Sequence, residues 1–183
     1  MKALLIIDMQ VGSFTPRNTR FDTEGVIERI NNLSGYFRQT GNKVFFIQHN
    51  GTRNNEFIPG TPEWQLLPEL DVLADDIVID KTANDCFYES ELDNLLRKFN
   101  INELYFTGCA TDFCVDSTIR SAITKRYDIT VVKDGHTTAN RPHLNAEQVI
   151  AHHNWLWENM VPVNREIAVI SSADVRINHR VGF

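Results

Sequence analysis

The sequence predicts an α/β fold, a three-layer α/β/α sandwich with a six-stranded parallel β-sheet between two layers of helices. Short apolar runs of strand length alternate with longer stretches in which apolar residues recur every three or four positions. Such alternation is typical of right-handed βαβ units, in which successive strands lie parallel and helices cover both faces. No linker, repeat or low-complexity segment interrupts the 183 residues, so we expect a single domain over residues 1–183.

Six segments have the length and composition of buried strands. The first is a continuous apolar run, Ala3 to Ile7, which ends at Asp8 and is predicted to be buried on both faces. The five others follow in chain order at residues 43–49, 76–79, 104–107, 128–132 and 167–170.

Helical periodicity covers much of the sequence between these strands, at residues 24–39, 92–99, 115–123 and 145–160. A predicted loop at residues 50–62 is longer than most connections in compact domains, and such loops are usually functional or mobile. A second loop is predicted at residues 133–138, after the fifth strand. The chain is predicted to end in a tail over residues 171–183, which has no clear structure from about residue 174 onwards.

Composition and charge narrow the class of protein. The apolar fraction of 42% is enough for a substantial core. A net charge of -6 argues against a nucleic-acid partner, because phosphate binding needs a basic surface. Three cysteines without metal-binding spacing favour a reducing compartment, and the apolar N-terminal run is too short for a signal peptide or membrane span. We therefore expect a cytoplasmic protein with a small-molecule partner and no membrane segment.

Cys114 lies where the fourth strand is followed by a helix. The apolar stripe that begins at Val115 places this cysteine in the first turn of that helix. Thr111 or Asp112 is predicted to cap the turn, and its free amides with the positive end of the helix dipole favour a thiolate. The placement fits a nucleophile, although an inert buried cysteine is the commoner case.

Asp8 and Lys81 also lie at strand ends, after the first and third predicted strands. Taken singly, the aspartate fits a turn cap and the lysine a solvated side chain. In parallel sheets, however, ligands bind beyond the carboxyl ends of the strands, near the point where the strand order reverses. Asp8, Lys81 and Cys114 are then one constellation, in which the carboxylate serves as a base and the ammonium stabilises a thiolate. Backbone N–H groups of the turn before Cys114 would bind an oxyanion.

These three residues lie within a wider set of motifs. The set comprises LLIIDMQ at Leu4–Gln10, PGTP at Pro59–Pro62 with Trp64, Lys81, and GCATDFCV at Gly108–Val115 with Thr118 and Ala122. Through these residues the sequence, from Met1 to about Ala173, resembles the isochorismatase-like cysteine hydrolases. This family includes nicotinamidases, N-carbamoylsarcosine amidases and ureidoacrylate-type amidohydrolases.

The resemblance implies roles for individual residues. Asp8, Lys81 and Cys114 match the catalytic triad of the family. The Cys109–Ala110 bond matches its unusual cis peptide, and the backbone amides of Ala110 and Cys114 match its oxyanion hole. A homo-oligomer, most simply a dimer, is expected on the same ground.

The sequence departs from the metal-dependent members of that family. Nicotinamidases carry an Asp-x-His pair and a further histidine for a metal after the second strand, and the corresponding segment here is Gln48-His-Asn-Gly51. We therefore expect no metal and no cofactor. His49 fits either a pocket position or a packed, hydrogen-bonded one. Cys109, close in sequence to Cys114, would allow an inactivating oxidation.

The resulting prediction is a metal-independent amidohydrolase that cleaves a C–N bond of a small amide or ureide through a Cys114 thioester. An isochorismatase-type vinyl ether hydrolase and a catalytically silent binding protein of the same fold are the alternatives. Vinyl ether cleavage needs an acid but no thiol nucleophile. The presence of Cys114 therefore favours amide or ureide hydrolysis. With His49, the candidates to line the pocket are Phe14, Trp64, Tyr88, Phe113 and His136.

A pair of histidines, His152 and His153, lies in the last predicted helix together with Trp155 and Trp157. This combination is predicted to form an aromatic packing surface or a subunit contact. A metal site is a weaker alternative, because adjacent positions on a helix point to different sides.

Overall fold

The computed structural model describes residues 1–51, 56–162, 165 and 167–177. Within this part of the chain the strands are β1 (Lys2–Ile7), β2 (Lys43–His49), β3 (Ile77–Lys81), β4 (Glu103–Cys109), β5 (Asp128–Thr137) and β6 (Ile167–Ile170). The α-helices are α1 (Thr23–Gln39), α2 (Leu92–Lys98), α3 (Asp116–Ile123), α4 (Ala146–Glu158) and α5 (Ser172–Ile177).

The strands form one sheet in which every neighbouring pair is parallel, in the order β3-β2-β1-β4-β5-β6. This arrangement confirms the predicted α/β fold with its six-stranded parallel sheet. The order reverses between β1 and β4, because the chain leaves β1 towards one edge of the sheet and returns to build the other half. A cleft beyond the carboxyl ends of these two strands is the expected ligand position in such a sheet.

The alternation of side chains along β1 explains the two helix layers. Leu4 and Ile6 face a core that includes Val26, Ile30 and Phe37 of α1. The intervening residues of β1 face the opposite core, together with residues of α2, α3 and α4. Both faces of the strand are therefore buried, as the continuous apolar run predicted.

Strand β5 extends further than the sequence indicated. Residues 133–138 were expected to form a loop, yet β5 runs to Thr137 and pairs Gly108 with His136 across an irregular register. The polar residues of this stretch have partners that the local sequence does not reveal. Asp134 accepts hydrogen bonds from the backbone and the hydroxyl of Ser172, and its carbonyl accepts one from Arg29.

The predicted tail also begins as a helix. Residues 172–177 form α5, and Val175 is 1% exposed against the core beneath α1. A single apolar residue in a short polar segment gives too weak a periodic signal for a helix to be predicted. The rest of that tail, residues 178–183, and residues 52–55 of the long loop lie outside the described residues.

Helix α4 begins at a capping box. Asn145 accepts a hydrogen bond from the backbone N–H of Gln148, whose side chain accepts one from the backbone N–H of Asn145. In the parts of the chain that the structure describes, no helix is long and apolar enough to cross a membrane.

Candidate active site

Three side chains meet beyond the carboxyl ends of the central strands. Asp8 follows β1, Lys81 ends β3, and Cys114 lies five residues after the end of β4. The Lys81 ammonium lies 2.8 Å from Asp8 Oδ2 and 3.4 Å from Cys114 Sγ. All three residues are buried, with 5%, 1% and 9% of their surfaces exposed. The structure thus places a carboxylate, an ammonium and a thiol in one group.

The backbone of Asp8 leaves the strand through a left-handed turn. Its φ is 49°, which is unfavourable for most side chains although aspartate tolerates it better than most. The Asp8 N–H donates to Ile47 O at 2.9 Å, so the turn stays anchored to β2. Oδ1 of its carboxylate accepts no hydrogen bond from any described residue. One carboxylate oxygen is therefore fixed by Lys81, and the other has no hydrogen-bond partner among the residues that the structure describes.

Gly108 allows β1 and β4 to approach each other closely at this point. It has a φ of +115°, and a Cβ at this position would lie 2.1 Å from the carbonyl oxygen of Ile7. Only glycine satisfies both constraints. The ends of the two strands, and hence Asp8 and the Cys109 segment, are thereby brought together.

Lys81 has four contacts that orient its ammonium group. Besides Asp8 and Cys114, it donates to the carbonyl of Ala83 at 2.9 Å and lies 3.4 Å from Nδ1 of His49. Burial is the largest single influence and opposes its charge, but the groups around the ammonium, with the Asp8 carboxylate foremost, together raise the pKa of Lys81 above its ordinary value. The lysine therefore stays protonated. Burial and this charge together lower the pKa of His49, which favours a neutral ring.

Cys114 lies within a π-helical turn, Thr111–Val115, that precedes α3. Burial raises the pKa of its thiol, the Asp8 carboxylate raises it further, and the charge of Lys81 only partly opposes them. The expectation of a thiolate stabilised by the helix start is therefore wrong for the resting site, where the thiol is protonated. Its Sγ lies 3.6 Å from Oδ1 of Asn84, an acceptor that the sequence did not suggest.

The expected helix caps are also wrong, because both side chains bind elsewhere and neither forms a capping hydrogen bond. The Thr111 hydroxyl lies 2.9 Å from Nδ1 of His136. Asp112 accepts hydrogen bonds from Arg141 and from Thr138. The Cys109–Ala110 peptide bond just before this turn is cis.

A cleft of about 360 Å³ opens at this group of residues. Its lining consists of Asp8, Ser13, Arg20, His49, Glu56, Phe57, Asn84, Cys109, Ala110, Phe113, Cys114 and Arg141. Two of the six predicted pocket residues, His49 and Phe113, are among them. Sequence reasoning missed Ser13, Arg20, Glu56, Phe57, Asn84 and Arg141, because isolated loop residues carry no periodic pattern that could indicate their direction.

The other four predicted pocket residues have different surroundings. Phe14 is 2% exposed and packs in the core beneath α1. Trp64 anchors the loop through its indole N–H, which donates to Asn50 Oδ1 at 2.6 Å. Tyr88 is 53% exposed, outside the cleft lining, and His136 is 2% exposed behind the turn Thr111–Val115.

His136 connects the turn Thr111–Val115 to α4. The amide nitrogen of Asn154 donates to the carbonyl of Lys133, so its Oδ1 accepts from Nε2 of His136 at 3.0 Å. Nδ1 of His136 then accepts from the Thr111 hydroxyl. Burial lowers the pKa of His136 to about 4, and the hydrogen bond to Asn154 only partly opposes this effect. The ring is therefore neutral at physiological pH.

This histidine is expected to make stability fall as the pH is lowered. Its ordinary pKa of 6.5 applies after unfolding, so between pH 6.5 and 4 the unfolded chain binds a proton that the folded chain does not. This difference in proton binding lowers the free energy of unfolding by about 1.4 kcal/mol per pH unit, so His136 lowers it by about 3 kcal/mol between pH 6.5 and 4. Urea titrations at pH 6.5 and pH 4.5 measure the effect. The variant His136→Gln should show a smaller difference between the two pH values than the wild type, whereas His152→Gln, at an exposed position, should not.

The histidines of α4 form a separate cluster. The rings of His152 and His153 lie 5.5 Å apart, and His152 stacks on Trp155, which is 60% exposed. Trp157 is buried and donates from its indole N–H to Asp116 at 2.9 Å. Among the described residues, no group of three or more His, Cys, Asp or Glu side chains is arranged to bind a metal ion.

Comparison with known proteins identifies the family. The sequence matches the isochorismatase domain over residues 2–174. The chain belongs to the isochorismatase family. The resemblance seen in its motifs is thereby confirmed.

Relatives in this family include two with assigned reactions. Ureidoacrylate amidohydrolase of Serratia proteamaculans is 30% identical in an alignment that covers 72% of this chain and 68% of that protein. Streptothricin hydrolase of Streptomyces noursei is 27% identical over 142 residues. That match covers 78% of this chain but only 56% of the streptothricin hydrolase, so the chain spans little more than half the length of that relative.

Solved structures of the isochorismatase family have the same fold. One crystal structure of a family member is 32% identical, covers 93% of this chain and 98% of the other, and superposes with a TM-score of 0.83. A cysteine hydrolase from Pseudomonas syringae pv. phaseolicola 1448A has a TM-score of 0.84, covering 97% and 92% of the two chains. At 19% identity, that second likeness concerns the fold alone.

Proposed function

We propose that this protein is a metal-independent cysteine amidohydrolase that cleaves a C–N bond of a small amide or ureide. Family membership and relatives named as hydrolases support hydrolysis, and the ureidoacrylate amidohydrolase supports a C–N bond as its target. The observation that carries the proposal is the arrangement of Asp8. One of its oxygens is fixed by Lys81, and the other is buried near the Cys114 thiol with no hydrogen-bond partner in the described part of the chain.

The first half of the reaction forms a thioester. Asp8 Oδ1 takes the proton of the Cys114 thiol as Sγ bonds to the carbonyl carbon of the substrate. The carbonyl oxygen becomes an oxyanion, which the backbone N–H groups of Ala110 and Cys114 stabilise. When the C–N bond breaks, Asp8 gives its proton to the leaving nitrogen, and ammonia or an amine departs.

The raised pKa of the Cys114 thiol fits this order of events. A thiol that stays protonated at rest needs a base at the moment of attack, and the unpartnered carboxylate oxygen of Asp8 provides it. Lys81 lies 3.4 Å from Sγ and stabilises the negative charge that develops on the sulfur. Its hydrogen bond to Oδ2 also fixes the orientation of the carboxylate.

The second half releases the acid. Water enters where the amine departed and gives a proton to Asp8 while its oxygen attacks the thioester carbon. The tetrahedral intermediate collapses, the C–S bond breaks, and Asp8 returns the proton to Cys114 Sγ. The same carboxylate thus moves a proton in both halves of the reaction. A homo-oligomer remains part of this proposal on the resemblance to the family.

The proposed thioester is testable by mass spectrometry. A panel of small primary amides and ureides is screened for ammonia release in the presence of EDTA, and reactions with the best substrate are quenched with acid during turnover. We expect the peptide containing Cys114 to gain the mass of the acyl or carbamoyl group. The peptide containing Cys86, a buried cysteine outside the cleft lining, serves as the internal control.

Two results would contradict this mechanism. Turnover that EDTA abolishes and a divalent metal restores would show that the reaction depends on a metal. Rapid turnover with unmodified Cys114 at every quench time, and with acyl groups on no other residue, would exclude the covalent route.

A further inference from the structure

The cleft contains a cation whose charge no carboxylate of the described residues neutralises. Arg20 lines the cleft, and its one hydrogen bond to a described residue is from Nε to the carbonyl of Ser13, at 2.7 Å. The other cation of the lining, Arg141, is paired with Asp112 through two hydrogen bonds, and Lys81, behind the lining, is paired with Asp8. No side chain in the described part of the chain occupies the Nη1 and Nη2 edge of the Arg20 guanidinium, which leaves that edge open to a ligand.

The segment that carries Arg20 is fixed on both sides. On one side, Phe14 is buried in the core beneath α1. On the other, the backbone N–H of Phe21 donates to Thr138 O at 3.0 Å, and the Thr137 hydroxyl donates to Phe21 O at 2.5 Å. Because Nε is also engaged, binding of a ligand to Arg20 requires little further ordering, which favours affinity.

Arg20 lies close to the proposed oxyanion site. Burial raises the pKa of Cys109 to about 12, and the positive charge of Arg20 is the largest influence that opposes this rise. Cys109 directly precedes Ala110, whose backbone amide is a proposed donor to the oxyanion. Arg20, Ala110 and Cys114 also line the same cleft of about 360 Å³, so one small molecule in it can contact both Arg20 and the proposed oxyanion donors.

The opposite charge in the cleft does not neutralise Arg20. Glu56 also lines it but is exposed, and it forms no ion pair with Arg20. An exposed carboxylate is well solvated and screened by salt, so its influence on a ligand is weak. Arg20 is only partly exposed, so its charge influences a bound ligand more strongly than that of Glu56 does.

We propose that Arg20 is a specificity-determining residue that binds a carboxylate of the substrate through its Nη1 and Nη2 edge. This inference rests on the proposed amidohydrolase function and adds the substrate class, a small amide or ureide that also carries a carboxylate. Arginine suits this role, because its planar fork matches the two oxygens of a carboxylate and forms two charge-assisted hydrogen bonds. A neutral amide would leave that edge to water.

A matched pair of amides tests this assignment through catalysis. Succinamate carries a carboxylate at the end where succinamide carries a second amide, and the two are otherwise alike. In Arg20→Gln we expect kcat/KM for succinamate to fall by about 10- to 100-fold, the range for losing charge-assisted hydrogen bonds, and that for succinamide to change less than threefold. Arg20→Lys keeps the charge without the fork and should give a smaller loss. Arg17→Gln is the control, because Arg17 pairs with Glu24 and Glu69 outside the cleft lining.

A binding arm separates this inference from the proposed reaction. Malonate, succinate and glutarate are titrated into the wild type, Arg20→Gln and Arg17→Gln by calorimetry, after thermal unfolding has shown that each variant is folded. We expect at least one dicarboxylate to bind the wild type and Arg17→Gln at least tenfold more tightly than Arg20→Gln. Such binding would support the role of Arg20 even if neither amide were hydrolysed. The absence of hydrolysis would count only against the proposed amidohydrolase function. Equal binding of all three to wild type and Arg20→Gln, no binding to the wild type, or equal turnover of both amides by the wild type would overturn it.

Discussion

Replacing Cys114 by alanine is expected to reduce hydrolysis of an amide or ureide by at least about four orders of magnitude, because the covalent step disappears. The site would retain Asp8, Lys81 and the backbone donors, so substrate binding should change little. Steady-state kinetics with the best substrate of the amide screen measure the loss, which should lie in kcat rather than in KM. Cys86→Ala is the matched control, because Cys86 is also buried but lies outside the cleft lining.

The same variant separates the two chemistries considered for this fold. Vinyl ether hydrolysis needs a proton donor and water but no thiol, so isochorismate turnover would survive the loss of Cys114. Asp8→Asn, in contrast, should impair either reaction, by about a thousandfold or more, because it removes the group that moves protons. Fast isochorismate turnover by the wild type that persists in Cys114→Ala would replace amide hydrolysis as the function.

Replacing Lys81 by methionine is expected to lower the free energy of unfolding by about 3–5 kcal/mol, the usual cost of breaking a buried ion pair from one side. Lys81 is 1% exposed, so its loss leaves the Asp8 carboxylate buried without a counter-charge. Urea unfolding at pH 7 measures the change. Activity should fall as well, since the carboxylate loses its orientation and Cys114 loses the neighbouring charge.

Two further variants test the origin of that cost. Asp8→Asn combined with Lys81→Met removes both charges and should recover a large part of the lost stability. Lys2→Met, at a partly exposed lysine that pairs with Glu103, should cost at most about 1 kcal/mol. A double variant as unstable as Lys81→Met alone would mean that packing of the lysine side chain, and not charge, dominates.

The sequence predicted the fold and the placement of the central group because both depend on strong, short-range patterns. The apolar run before Asp8 marks a strand buried on both faces, and the ends of parallel strands lie at one edge of the sheet. The sequence alone therefore predicts that Asp8, Lys81 and Cys114 lie together. The family motifs around them added the candidate oxyanion donors, Ala110 and Cys114.

The remaining features depend on contacts that are distant in sequence. The length of β5 is set by hydrogen bonds from Arg29 and Ser172, far away in the chain. Thr111 is suitable as a helix cap by its residue type, but in the folded chain its hydroxyl forms a hydrogen bond with His136 instead. Arg20 lies in an irregular loop, and only the folded structure shows that its guanidinium reaches the cleft.

The position of Lys81 in the sheet has a consequence for how activity responds to mild stress. Lys81 is the last residue of β3, an edge strand with a hydrogen-bonded neighbour on one side only, whereas Asp8 follows a central strand. Edge strands open locally at a lower free-energy cost than the centre of a sheet. Each such opening withdraws the ammonium from the carboxylate while the remaining strands stay paired. Local fraying at this sheet edge is thus expected to separate the three side chains before the fold as a whole is lost.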